Sequence, residues 1–315
     1  MPVTVVVGGQ YGSEGKGKVA LHVVKETRAK AVVRVGGSNS GHTAADRDGR
    51  LRTLRQLPAS ALASDCLVFL PAGSLIDPQL LLSEIEELGL RPDRLVIDEM
   101  ASVITDANKL SEANRDLQRR IGSTGSGTGA AVQDRIARDG LAVLAKEVGA
   151  LLPYTQPFVA GILRSLLDSG ERVVVEGTQG FGLSVWHSPH YPFATSRDTT
   201  ASGFASEVGL SPRDIDDIVL VIRALPIRVG GNSPRSLARA LGMIRGSHSI
   251  RPIWQATDEL LRTVGWPHQV PQPARPCDNA IRKTAPVGRH QRRSKPIQIH
   301  RGQRGGRYPL RPFFR

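Results

Sequence analysis

Val5-Val6-Val7-Gly8-Gly9-Gln10-Tyr11-Gly12-Ser13-Glu14-Gly15-Lys16-Gly17-Lys18 runs an apolar strand into a glycine-rich turn with two lysines, and a helical pattern follows from Val19. Glycines let backbone N–H groups close around phosphate oxygens, and the positive end of the next helix faces the same anion. Gly12 to Lys18 fits G-x-x-x-x-G-K, the spacing of a triphosphate loop. The next position should be Ser or Thr to hold magnesium, but it is Val19. The segment therefore reads as a degenerate loop, or as a phosphate site whose magnesium has other ligands.

Outward from this loop, residues 1–233 alternate strands and helices. Strand-like runs are Val3–Val7, Ala31–Val35, Cys66–Leu70, Arg94–Ile97, Arg172–Val175 and Ile218–Ile222, and helical patterns include Pro78–Leu88, Ala130–Val148 and Pro157–Leu167. Continuous apolar strands spaced by helices predict an α/β fold, a mainly parallel sheet covered on both faces. Ligands in such folds collect beyond the carboxyl ends of the strands, where the glycine-rich segments fall. Asp77 before Pro78 reads as a helix N-cap, and Cys66 as core.

The net charge of +13 is unevenly placed. Residues 234–315 hold 17 Lys and Arg against 3 Asp and Glu, which leaves 25 basic and 26 acidic residues in the first 233. The overall charge thus says nothing about the substrate of a near-neutral globular part. The last stretch is rich in Pro, Arg, Gln and His, with only Pro252–Val264 resembling a helix, and reads as an irregular basic tail. The abrupt swing in charge and composition reads as out-of-frame translation after about Ser233; a genuine basic tail that binds nucleic acid by phosphate contacts is the rival reading. No apolar run is long enough to span a bilayer, and two cysteines without metal-ligand spacing, Cys66 and Cys277, fit a reduced, cytoplasmic setting.

Five further segments are loops of glycine, hydroxyl and amide residues at element ends: Gly36-Gly37-Ser38-Asn39-Ser40-Gly41-His42-Thr43, Leu57-Pro58-Ala59-Ser60, Ile121-Gly122-Ser123-Thr124-Gly125-Ser126-Gly127-Thr128-Gly129, Val175-Glu176-Gly177-Thr178-Gln179-Gly180 and Tyr191-Pro192-Phe193-Ala194-Thr195-Ser196-Arg197-Asp198-Thr199-Thr200. Each alone is an ordinary turn. Together they predict two phosphorylated ligands. His187 and His190 lack a third ligand to make a metal site, and an intrahelical ion pair with Asp134 is the bland reading of Arg138.

In this order, over roughly residues 3–233, the segments resemble the adenylosuccinate synthetase family, in its short archaeal and viral branch. The resemblance implies a P-loop-type fold and a ligase reaction. A nucleoside triphosphate phosphorylates the 6-oxygen of a purine monophosphate, and the amine of L-aspartate displaces that phosphate. Carried over by motif, Gly12, Glu14, Gly15, Lys16, Gly17, Lys18, Gly41 and Thr43 would surround the triphosphate. His42 would act as general acid toward the leaving oxygen or stabilise its charge. Gln179 would hold the 6-oxo edge of the purine, and Asn39, Ser123, Thr124 and Thr195 the 5′-phosphate and its surroundings. The Gly41 carbonyl and residue 13 would ligate Mg²⁺. Arg138 would reach the monophosphate of a neighbouring subunit in a homodimer, and Arg228 would bind aspartate.

Two departures matter. The family has Asp where this chain has Ser13; that Asp takes the N1 proton of IMP, for which a serine hydroxyl has far too high a pKa. A small neutral side chain opens room beside N1, where guanine carries its 2-amino group. The phage branch, 2-aminoadenylosuccinate synthase, has a small polar residue here and is described as using dGMP with ATP or dATP. Ser13 beside an intact Glu14-Gly15-Lys16-Gly17-Lys18 therefore favours dGMP over IMP with GTP. Second, neither the family's arginine-rich aspartate loop nor its K-x-D base-recognition motif is found after Ser233; Arg262-Thr263-Val264-Gly265-Trp266 is a faint echo. A nucleotide-binding relative that does not ligate aspartate, and a nucleic-acid binder acting through the tail, are the alternatives from other classes.

Overall fold

The computed structural model describes residues 2–223. Arg228, Cys277, the Pro252–Val264 pattern and the basic tail lie outside them. The described chain runs β1 (Val3–Gly8), α1 (Lys16–Thr27), β2 (Ala31–Arg34), β3 (His42–Ala45), β4 (Leu51–Leu54), β5 (Leu67–Leu70), β6 (Leu75–Ile76), α2 (Pro78–Leu88), β7 (Leu95–Asp98), β8 (Ser102–Val103) and α3 (Asp106–Asn114). It continues through α4 (Leu117–Ile121), α5 (Thr128–Ala137), β9 (Thr155–Gln156), α6 (Val159–Asp168), β10 (Val173–Glu176), α7 (Ala201–Val208) and β11 (Ile215–Val221).

Seven strands form one sheet in the order β11-β1-β10-β2-β5-β7-β9, with every neighbouring pair parallel. Side chains alternate across a strand, so β1 feeds two cores. Val3, Val5 and Val7 meet Leu163 and Leu167 of α6 and Phe204 and Val208 of α7. Val6 joins Val19, Val23 and Val24 of α1 and Leu81 and Ile85 of α2 on the opposite face. Burying each such side chain contributes about 1.5–3 kcal/mol. The six expected strands and the two-faced cover are present. Asp77 caps α2, accepting from the Leu80 amide at 3.4 Å, and Cys66 is buried. Among the described residues no helix is long and apolar enough to cross a membrane.

Some boundaries differ from the sequence reading. The pattern Ala130–Val148 is not one helix: α5 stops at Ala137 because Arg138 (φ 57°) and Gly140 (φ 86°) turn left-handed. Beyond them Leu144 bridges to Ser102, and short 3-10 turns cover Ala145–Glu147 and Gly149–Tyr154. Helix α6 begins at Val159 rather than Pro157, since Phe158 is left-handed (φ 53°). Helix α1 begins at Lys16, three residues before the apolar period. His42 and Thr43, read as loop, belong to the β3–β4 hairpin.

Candidate functional site

The first loop is built around a buried carboxylate. Glu14 accepts from the Gly12 amide at 2.8 Å, the Gln10 amide at 3.2 Å and the Lys16 ammonium at 2.5 Å. Gly15 caps α1 at φ 100°, a conformation that favours glycine. Gly17 lets α1 approach β3: a Cβ there would stand 2.7 Å from His42 Cβ and 2.8 Å from Ala59 Cβ. Lys16 is 2 % exposed, and burial pushes its pKa down against the pull of Glu14. The exposed lysine of the motif is Lys18.

Sheet register sets the next group. Arg34 and Glu176 close β2 and β10 and are direct partners across that parallel pair. They alternate with Val33 and Val175, so both project onto the α1 face. Arg34 Nη1 donates to Glu176 Oε1 at 2.9 Å, and Nη2 to the Ser40 carbonyl at 2.7 Å. His42 Nδ1 lies 2.6 Å from Glu176 Oε1 and also contacts Arg34, and the Ala59 amide donates to the same oxygen at 3.1 Å. A carboxylate can only accept here, so the proton of a neutral His42 ring sits on Nδ1. Burial and the Arg34 charge lower the His42 pKa to about 4, leaving the ring neutral. Glu176 Oε2 is buried without a hydrogen-bond partner among the described residues. Burial opposes the charge of Glu176, but His42 and Arg34 prevail and hold its pKa below the usual range.

Glu14, Lys16, Lys18 and His42 border a cavity of about 840 Å³, the size of a small-ligand site. Its wall includes the whole run Tyr11–Val19, then Asn39–Thr43, Gln179, Leu183 and Val221–Arg223. Of the expected residues it therefore gathers Gly12, Ser13, Glu14, Gly15, Lys16, Gly17, Lys18, Asn39, Gly41, His42, Thr43 and Gln179. Ser13 is exposed and left-handed (φ 58°). Gln179 Nε2 donates to Asn39 Oδ1 at 3.0 Å, which ties two of the loops together. Thr43 Oγ1 meets Thr53 Oγ1 at 2.7 Å across the hairpin.

Ser123, Thr124, Arg138 and Thr195 do not line this cavity. The Thr195 amide donates at 2.7 Å to the carbonyl of Leu183, which does. Thr124 is exposed on the loop before α5, and Arg138 is exposed just past its end. Asp134 accepts from Asn108 Nδ2 at 2.6 Å. His187 stacks on Phe181, and His190 lies against Tyr11.

Sequence reasoning missed Arg223. Gln10 grips its backbone from both sides: Gln10 Nε2 donates to the Arg223 carbonyl at 2.9 Å, and the Arg223 amide donates to Gln10 Oε1 at 3.0 Å. Arg223 Nη1 then donates to the Ser13 carbonyl at 3.0 Å. Arg34 was missed too; its signal is a charged residue ending an otherwise apolar strand.

Among the described residues no group of three His, Cys, Asp or Glu side chains could hold a metal. Magnesium binds through carboxylates together with substrate phosphates, and Glu14 is already taken by Lys16 and two amides. The cavity lining thus suits a magnesium that arrives on a phosphate rather than one held by protein carboxylates alone.

The adenylosuccinate synthetase family model matches residues 5–147 and 145–244, so it runs past Ser233. The adenylosuccinate synthetase of Pyrococcus horikoshii is 38 % identical over 253 residues, 78 % of this chain and 73 % of that one. That of Methanococcus aeolicus is 38 % identical over 254 residues, covering 78 % and 74 %. Among solved structures, fully ligated adenylosuccinate synthetase from Plasmodium falciparum aligns with a TM-score of 0.66 over 76 % of this chain and 67 % of that one; at 21 % identity it speaks for the fold alone. Cyanophage S-2L succinoaminodeoxyadenylate synthetase, bound to dGMP and dATP as an energy donor, aligns with a TM-score of 0.65 and 30 % identity over 79 % and 70 %. With its parallel sheet, its Gly12–Lys18 turn and these matches over most of its length, the chain belongs to the adenylosuccinate synthetase family of C–N bond-forming ligases, which take a purine monophosphate, aspartate and a nucleoside triphosphate.

Proposed function

We propose that this chain joins L-aspartate to the 6-position of dGMP, giving a 2-aminoadenylosuccinate, with ATP or dATP as the phosphoryl donor. Ser13 carries the reading: a small, neutral, exposed side chain on the cavity wall where the family has aspartate. A 2-amino group beside N1 needs room and an acceptor, and a serine hydroxyl supplies both. The cyanophage relative whose structure holds dGMP and dATP supports the same choice.

In this reading the α1 N-terminus, the loop amides and Lys18 take the triphosphate. Magnesium bound with it, held by the Gly41 carbonyl and the Ser13 hydroxyl, would draw charge from the phosphate oxygens. Glu176 orients His42 through Nδ1, and Arg34 anchors Glu176. A polyphosphate beside His42 favours its imidazolium, which can donate from Nε2 to the leaving oxygen or stabilise its charge. Gln179, already tied to Asn39, faces the purine edge. Thr124 and Thr195 form the phosphate end of the monophosphate site, with Arg138 of a second copy completing it in a homodimer. Arg228 approaches aspartate.

The test is phosphate release by the full chain with aspartate and ATP or dATP, comparing dGMP with IMP. Aspartate-dependent turnover with dGMP exceeding that with IMP is the expected result. Preference for IMP with GTP would replace this reading by ordinary adenylosuccinate synthesis, which the names of the archaeal relatives favour. Triphosphate loss indifferent to aspartate would exclude ligation.

A further inference from the structure

The loop before α5 holds an anion supplied by the protein itself. Helix α5 starts at Gly127, which has no side chain to cap it, and its first turn has no acidic residue. Such a terminus offers unpaired amides to an anion. Glu112, from α3, takes them: Oε1 accepts from the Gly129 amide at 2.8 Å, and Oε2 from the Gly127 amide at 3.0 Å. Glu112 is 4 % exposed, and no lysine or arginine pairs with it among the described residues. The amide dipoles are what stabilise the buried charge.

The same carboxylate engages Ser123. Ser123 Oγ donates to Glu112 Oε2 at 3.4 Å and accepts from the Gly125 amide at 3.1 Å. Thr124 is turned outward and exposed, its Oγ1 2.9 Å from Ser126 Oγ. A phosphate placed on the α5 amides would stand against a buried carboxylate, and like charges at that separation are strongly disfavoured. A phosphate meeting Thr124 avoids that conflict.

We propose that Glu112 is the positioning residue of the monophosphate site: it occupies the α5 amides and Ser123, and so shapes the loop to offer Thr124 to the phosphate. The assignment rests on the reading of this loop as the phosphate end of the purine monophosphate site. It separates two neighbours that the motif treats alike, with Ser123 internal to the loop and Thr124 in contact with ligand.

Two measurements test it. Hydrogen–deuterium exchange on the free protein needs no ligand. In Glu112→Ala the Gly127 and Gly129 amides should exchange about tenfold faster or more, while the central sheet is unchanged. Steady-state kinetics with dGMP should then show KM for dGMP raised about tenfold or more in Glu112→Ala and in Thr124→Ala. KM for the triphosphate should be unaltered in both. Glu112→Gln keeps one acceptor oxygen and should fall between, which guards against a variant that merely misfolds. Unchanged exchange in Glu112→Ala overturns the hold on the loop. A lower KM for dGMP overturns the positioning role, because the carboxylate would then compete with the phosphate. If the wild type never saturates with any purine monophosphate, the functional reading fails and takes the phosphate contact with it. The exchange result still judges the Glu112 hold in that case.

Discussion

Serine at position 13 leaves that point of the cavity wall without charge. With serine there, the Arg223 guanidinium that holds the Ser13 carbonyl faces no carboxylate at that position. Ser13→Asp should therefore move the kcat/KM ratio of IMP to dGMP toward IMP by about tenfold or more, equivalent to roughly 1.4 kcal/mol of transition-state preference. The check is paired kinetics with both monophosphates; an unmoved ratio would separate Ser13 from substrate choice. Glu176 offers a second residue-scale test. Glu176→Asp keeps the charge that Arg34 needs but withdraws the carboxylate from His42 Nδ1 by one methylene. Misplacement of that order should lower kcat by about a hundredfold with the fold retained. Ser13, His42 and Gln179 were legible in the sequence because they sit in recognisable motifs. Arg34 and Arg223 were not, since each matters through a partner on a neighbouring strand or loop, which only the sheet register brings beside it.

At the scale of elements, close approach overrides intrinsic propensity. Alanine in a helix is normally better than glycine by about 0.5–1 kcal/mol, so Gly17→Ala in α1 ought to stabilise on propensity alone. The space says otherwise, because the new Cβ would press on His42 and Ala59. Expected instead is a loss of about 1–3 kcal/mol, read as a lower denaturation midpoint at unchanged m-value. A second element-scale test is the join between α6 and β11. Arg164 of α6 pairs with Asp214, which also accepts from the Ser211 amide at 2.9 Å. Arg164 is the main cause holding the Asp214 carboxyl below the usual range. A depressed carboxylate stabilises the fold above its unfolded pKa and loses that contribution as pH falls through the folded value. Asp214→Asn should therefore cost about 1–3 kcal/mol at neutral pH and flatten the acid limb below about pH 4, measured as unfolding free energy against pH. The six apolar strands were legible because strands buried on both faces need continuous apolar runs. The Thr155–Gln156 strand is too short and polar to show. The end of α5 was hidden because Arg138, an ordinary helix former, is left-handed by context.

For the whole molecule, completeness of the site turns on Arg138. Arg138 is exposed and off the cavity wall, yet the family reading needs it at a monophosphate. Exposed large apolar side chains flank it in sequence, Ile136 at 70 % and Leu141 at 71 %, and Leu110 of α3, the helix packed on α5, is 60 % exposed. Exposed large apolar side chains are what an interface covers. If Arg138 acts across that interface, a subunit lacking it fails in its partner's site while its own cavity stays intact. A subunit lacking His42 fails in its own cavity while its Arg138 still serves the partner. Arg138→Ala and His42→Asn should therefore each be inactive alone. Mixed and allowed to exchange subunits, they should recover activity through heterodimers in which one site holds both wild-type residues. Sedimentation of the wild type as a dimer, with recovery that rises with exchange time, is the expected pair of results. A monomer active at full rate, or mixtures no better than their parts, would return Arg138 to the surface and require the monophosphate site to be completed within a single chain.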